Sequence, residues 1–213
     1  MITTSDNRLM VGPNTISNIQ PISCSEMIIP SWQPLATKLK QDVRDKVAKQ
    51  FSGINDVLRL LLMNDCILSG SCISSIYHGE EPKDYDFWFK PTPFLKAEFI
   101  RQNIIEKYSA DILDISENYA GQGAKGAPAL CVTANAITFK NKFQLITLAD
   151  YYSARKDFDL VHCMPYFDFA EDKFFISERQ FSIIQQKRLV PKNPGRIIPV
   201  YRTEKFKNRG WTQ

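Results

Sequence analysis

A chain of 213 residues and 24.5 kDa, 44% hydrophobic and 12% aromatic, can bury a core of its own without disulfide or metal staples. It has no run of about 18 uninterrupted apolar residues, so no membrane span is expected, and the start MITTSDNRLM lacks the basic and apolar regions of a signal peptide. The net charge is only +4, but residues 187–213 hold eight Lys and Arg against Glu204 alone, a +7 tail on a −3 body; that implies a polyanionic partner, triphosphate or nucleic acid, or else a solvated basic face.

Residues 1–33 carry Pro13, Pro21 and Pro30 with no sustained period, and read as an extended N-terminal arm suited to docking on the body or on a partner protein. From Leu35 to Phe51 the apolar residues Leu35, Leu39, Val43 and Val47 recur at helical spacing. Gly53 breaks the pattern, and a second helix, Ile54 to Asn64, should bury Ile54, Val57, Leu58, Leu61 and Leu62. Cys66-Ile67-Leu68 reads as a short buried strand, and Ser71 as the cap of a short helix through Tyr77 that Gly79 ends.

The strand Tyr85–Lys90 alternates sharply, with Asp84, Asp86 and Trp88 on one side and Tyr85, Phe87 and Phe89 on the other. Further on, the pattern predicts a helix over 93–108, a strand over 111–115 and a glycine-rich loop over 117–128. Two strands follow, 130–139 and 143–148, forming a hairpin around Lys140-Asn141-Lys142. A short helix over 148–156, a strand over 158–167, a helix over 177–189, a Pro-rich linker and a last helix over 201–209 complete the chain. The five cysteines are odd in number and lack zinc-site spacing, so they read as free thiols in a reducing cytoplasm (a host cytoplasm, if the chain is viral).

The chemistry concentrates between Ile67 and Phe89. A buried strand runs into Gly70-Ser71, then a short helix, then a strand opening with Asp84-Tyr85-Asp86. Gly70 lets the backbone approach a bulky anion, and Ser71 adds a hydroxyl and an amide at a helix start, where phosphate is favoured. Asp84 and Asp86, two apart on one strand, share a face at ~6.6 Å spacing along the chain. Their mutual repulsion is relieved by a divalent cation.

This order of Gly-Ser, helix-length spacer and paired acids framed by Tyr85 and Phe87 resembles the nucleotidyltransferase superfamily with the DNA polymerase β-like catalytic fold. The resemblance covers about half the chain, from Ile54 to Phe167. The likeness, including the tail with Lys205 and Arg209-Gly210-Trp211, runs to phage- and bacterium-type members.

It implies an α+β fold: a mixed curved sheet flanked by helices in a core over 34–168, with a basic helical C-terminal extension over 169–213. Gly70 and Ser71 would receive the phosphates of a nucleoside triphosphate, and Asp84 and Asp86 would bind Mg²⁺ or Mn²⁺. A third acid on a neighbouring strand would complete the metal site; Asp159 fits best, with Asp157 and Asp168 as rivals. Arg202 and Lys205, on one side of the last helix, could hold the triphosphate tail or track RNA.

The implied reaction transfers a nucleoside monophosphate from NTP to a hydroxyl and releases pyrophosphate. No motif marks a particular acceptor, so RNA, protein and small molecules stay open. Two other readings also stay open: a non-catalytic module of the same fold inside a larger, viral assembly, and a nucleic-acid-binding protein acting through its tail. Glu80 and Glu81 read as solvated loop charges, and His78 and His162 as structural residues.

Overall fold

The structure is a computed structural model that describes residues 31–90, 103–107, 112–116, 136–146 and 150–213. The N-terminal arm up to residue 30, most of the 93–108 helix, the 117–128 loop and the start of the 130–139 strand lie outside them. Ser31–Gln213 forms one compact unit.

Helix α1 spans Gln33–Gln50 and buries Ala36, Leu39, Val43 and Val47. Burying each larger side chain of that stripe contributes about 1.5–3 kcal/mol. Helix α2, Asp56–Asp65, starts where the Asn55 side chain accepts from the amides of Val57 and Leu58, a cap worth about 1 kcal/mol. Only Leu58 and Leu62 of α2 are buried, while Val57 is 50% exposed, so the apolar face is narrower than its sequence implies.

Strand β1, Cys66–Ser69, leads through Gly70 into helix α3, Ser71–Tyr77. Gly70 occupies the cap position at φ 104°, so Ser71 is the first helical residue rather than the cap. Strands β2 (Tyr85–Phe89), β3 (Ile112–Ser116), β4 (Ala136–Phe139) and β5 (Phe143–Ile146) follow. The turn between β4 and β5 has Lys142 at φ 64°, and the two strands pair antiparallel as a hairpin. Helix α4, Tyr151–Ala154, is capped by Asp150 and continues as a 3₁₀ turn through Asp157.

The strand expected over 158–167 is not formed. Leu160 makes an isolated bridge to Pro191, Val161–Cys163 is a 3₁₀ turn, and the strand proper is Tyr166–Asp168, β6, pairing with β7, Lys173–Phe175. The cause is local. The amide of Gly70 and the hydroxyl of Ser69 both take the Cys163 carbonyl, at 3.1 and 3.2 Å, which draws this segment over the Gly-Ser turn instead of along the sheet.

Helix α5, Glu178–Gln185, opens with a reciprocal capping box between Ser177 and Gln180. Helix α6, Val200–Lys207, buries Phe206.

The described strands form one mixed seven-stranded sheet in the order β3-β4-β5-β2-β1-β6-β7, in which the β2–β5 pair is parallel. The β6–β7 hairpin carries the sheet past residue 168. Helices α1, α2, α3 and α5 cover one face, packing Leu39, Val47, Leu58, Ile73 and Phe181 against Leu68, Phe87, Phe143 and Leu145. The opposite face carries a smaller cluster of Ile67, Tyr151 and Tyr166, joined by Trp88 and Phe158. Leu160, Cys163, Leu189, Phe206 and Trp211 form a third cluster under the C-terminal segment. Among the described residues no helix is long and apolar enough to cross a membrane.

Candidate active site

β1 and β2 pair antiparallel with Ser69 opposite Asp86, which sets the Gly-Ser turn beside the acids. Tyr85, Phe87 and Phe89 are buried toward the helices, so Asp84 and Asp86 are turned to the other side, both half-buried. A Cβ on Gly70 would stand 2.5 Å from Asp86 Oδ2, closer than van der Waals contact permits. The left-handed φ there also disfavours any other residue.

Burial, and then the charge of Asp84, pushes the Asp86 carboxyl up to about 8; Lys205 and Arg202 pull it back only in part. Among the described residues Asp86 has no ion-pair partner. Two carboxylates beside a backbone approach free of side chain fit a magnesium-type ion, which takes one or two carboxylates and completes its shell with water and phosphate oxygens.

The third acid does not join them. Both oxygens of Asp159 accept from Arg202, at 2.8 Å from Nε and 3.0 Å from Nη2, in a fork at the start of α6. Asp159 lies before the 3₁₀ turn rather than on a strand, and its fork with Arg202 anchors α6. Of the rivals, Asp168 pairs with Lys90 at 2.7 Å and Asp157 is exposed. Among the described residues no three His, Cys, Asp or Glu side chains cluster to hold a metal.

The basic tail is brought to the site. Lys205 and Arg202 both act on Asp86 through space. Lys205 has no carboxylate partner among the described residues, and the Asp159 fork leaves Nη1 of Arg202 unused. Burial opposes the Arg202 charge, but Cys163 and Asp159 raise its pKa still further, so it stays a cation.

Sequence reasoning missed a second cluster. Glu80 is bound by Lys187 at 2.7 Å and by Arg209 at 2.6 Å, and Arg209 also reaches Ser75 Oγ on α3. Burial works against the Glu80 charge, yet Lys187 and Arg209 hold it below the usual carboxylate range. Glu81 likewise bonds Lys46 and Lys142. Glu80 is therefore not a solvated loop charge, whereas Glu81 stays exposed on its loop. The available signal was the charge imbalance of the tail, which needs acids from elsewhere to settle against.

Both histidines are structural. His78 Nε2 lies 2.8 Å from the Ile184 carbonyl, tying α3 to α5. His162 is fully buried against Phe206 and Trp211, where burial, then Arg202, Arg209 and Lys205, holds it neutral. The described thiols Cys66, Cys72 and Cys163 are free and buried.

The model of the Gabija anti-defense 2 protein family matches residues 40–187, well over half of the chain. The chain belongs to that family. The match takes in Gly70, Ser71, Asp84, Asp86 and Asp159 and ends before α6 with its Arg202 and Lys205.

Among solved structures, this Gabija anti-defense 2 family member is similar to the Thermotoga maritima CCA-adding enzyme complexed with tRNA. The identity is 10% and the TM-score 0.42, over 69% of this chain and 36% of that one. A Bacillus stearothermophilus CCA-adding enzyme in complex with CTP gives 11% and 0.36, over 77% and 34%. The chain thus spans about a third of the length of these enzymes. No curated protein is similar enough to count as a match.

Proposed function

We propose that this chain is a metal-dependent nucleotidyltransferase. It would transfer a nucleoside monophosphate from an NTP to a hydroxyl acceptor, RNA or protein, with release of pyrophosphate, and use that transfer against the Gabija defence. The observation that carries the reading is the contact between Gly70 and Asp86, which seats the glycine turn directly against a carboxylate that has no ion-pair partner among the described residues.

In this reading Gly70 and Ser71 seat the phosphates, while Lys205 and the free edge of Arg202 meet their charge from α6. Asp84 and Asp86 hold Mg²⁺ or Mn²⁺. The bound ion supplies Lewis-acid chemistry, lowering the pKa of the acceptor hydroxyl and stabilising the leaving pyrophosphate. The new bond would join the acceptor oxygen to the α-phosphorus, the hydroxyl proton would pass to water, and the α–β bridging bond would break with its electron pair leaving on pyrophosphate. Free buried thiols suit a reducing host cytoplasm.

The reading of the tail as a nucleic-acid tracker has less support. Lys187 and Arg209 are committed to Glu80, and Lys192 and Arg196 to backbone carbonyls.

The test is incubation of the chain with each α-labelled NTP and Mg²⁺ or Mn²⁺, with and without Gabija components and RNA. The expected outcome is pyrophosphate release and label on one macromolecule, both lost in Asp84→Asn and Asp86→Asn. Label transfer that survives both substitutions would overturn the reading.

A further inference from the structure

Asp86 lies in a row that crosses the sheet. Ser69 on β1, Asp86 on β2, Gln144 on β5 and Thr138 on β4 stand opposite one another in register. Facing residues of neighbouring strands point to the same side of a sheet, with strands ~4.8 Å apart. The bond from Gln144 Nε2 to Thr138 Oγ1, 3.2 Å, joins two members of the row on the face that carries the acids.

Level with Asp86 in the sheet, the neighbouring positions lie on β1 and β5, the two strands that flank β2. β1 offers Ser69, whose hydroxyl is engaged by the carbonyls of Cys163 and Pro165. β5 offers Gln144, half-buried and long enough to reach across one strand spacing.

We propose that Gln144 takes the place of the missing acid as a neutral ligand, giving its amide oxygen to the divalent cation held by Asp84 and Asp86. The inference rests on the nucleotidyltransferase reading and sharpens it. Thr138 accepts from the amide nitrogen, and so leaves the carbonyl oxygen as the end free to face a cation among the described residues. Amide oxygens are hard donors of the kind Mg²⁺ and Mn²⁺ accept. A third carboxylate would add to the repulsion that Asp84 already exerts on Asp86, whereas an amide adds a donor without charge. An amide also takes no proton at neutral pH, so position 144 orients the cation and does not act as a base.

The test is Mn²⁺ binding by the full chain, with and without a non-hydrolysable triphosphate, followed by calorimetry and by electron paramagnetic resonance. Gln144→Met keeps the length and removes the donor; affinity is expected to fall roughly three- to tenfold with an unchanged melting temperature. Gln144→Glu is expected to bind Mn²⁺ alone at least about tenfold more tightly, since it adds a charge within reach of the ion. Thr138→Val should weaken binding less than Gln144→Met.

Wild-type affinity in Gln144→Met, alongside loss of binding in Asp86→Asn, would overturn the role of Gln144 and leave the acid pair standing. A wild-type chain that binds no Mn²⁺ with or without triphosphate would overturn both.

Discussion

Gly70 and Asp86 are in contact across the β1–β2 ladder, so closely that the carboxylate occupies the space in which any other residue at 70 would place its Cβ. Gly70 therefore does two things at once: it adopts a left-handed turn into α3, and it gives room to the acid that the proposed chemistry needs.

Gly70→Ala should on these grounds lose both stability and metal binding. The strained φ and the overlap together are expected to cost about 2–4 kcal/mol. To survive, Asp86 must swing away from its place. In an Asp86→Ala background the overlap disappears and only the backbone strain remains, so the cost of Gly70→Ala should fall by about half. Denaturant titrations of the four proteins measure this coupling, and strictly additive costs would contradict the contact.

The raised pKa of Asp86 makes opposite predictions for the free and the metal-bound protein. An acid whose native pKa lies above its unfolded value of about 3.9 favours the fold while it is protonated, so metal-free stability should fall as pH climbs from about 4 toward about 8. Cation binding needs the ionised form. Mn²⁺ affinity should then rise about tenfold per pH unit up to about pH 8 and level off above it. Calorimetry across this range, with Asp86→Asn as the variant that loses the slope, checks both signs.

What the sequence made legible was set by local pattern. The alternation of Asp84 to Phe89 assigns β2 and its two faces from period alone, and Gly53 and Gly79 mark helix ends by backbone chemistry that acts over a few residues. Asp159 shows where such reasoning stops. Phe158 to Cys163 alternates like a strand, but the segment is bent by bonds from Ser69 and Gly70, which lie more than ninety residues earlier. The partner that claims Asp159, Arg202, lies 43 residues downstream. Gln144 is similarly silent in sequence, because only the parallel pairing of β2 with β5 puts it beside Asp86.

Asp159 and Arg202 predict a structural phenotype. Their side chains are 10% and 24% exposed, so Asp159→Ala strands a half-buried guanidinium and should cost about 2–3 kcal/mol, loosening α6 from the body. Mn²⁺ affinity at Asp84 and Asp86 should change little. Chemical denaturation and metal titration of the same variant separate the two effects. A large loss of metal binding with intact stability would return Asp159 to the metal site.

Glu80 predicts how the C-terminal segment responds to acid. It joins the end of α3 to Lys187 and Arg209, and its depressed pKa means that its stabilisation is present above the unfolded value of about 4.3 and is lost as pH falls through its lower native value. Glu80→Gln removes the charge and keeps the shape, so at neutral pH it should cost about 1–3 kcal/mol and flatten the acid limb of the stability profile. The segment after Lys187 is held to α3 through this cluster. Limited proteolysis should accordingly cut it first, in the wild type at low pH and in Glu80→Gln at neutral pH. Equal protease resistance of the two proteins at neutral pH would show that the packing of Phe206 and Trp211 alone holds the segment down.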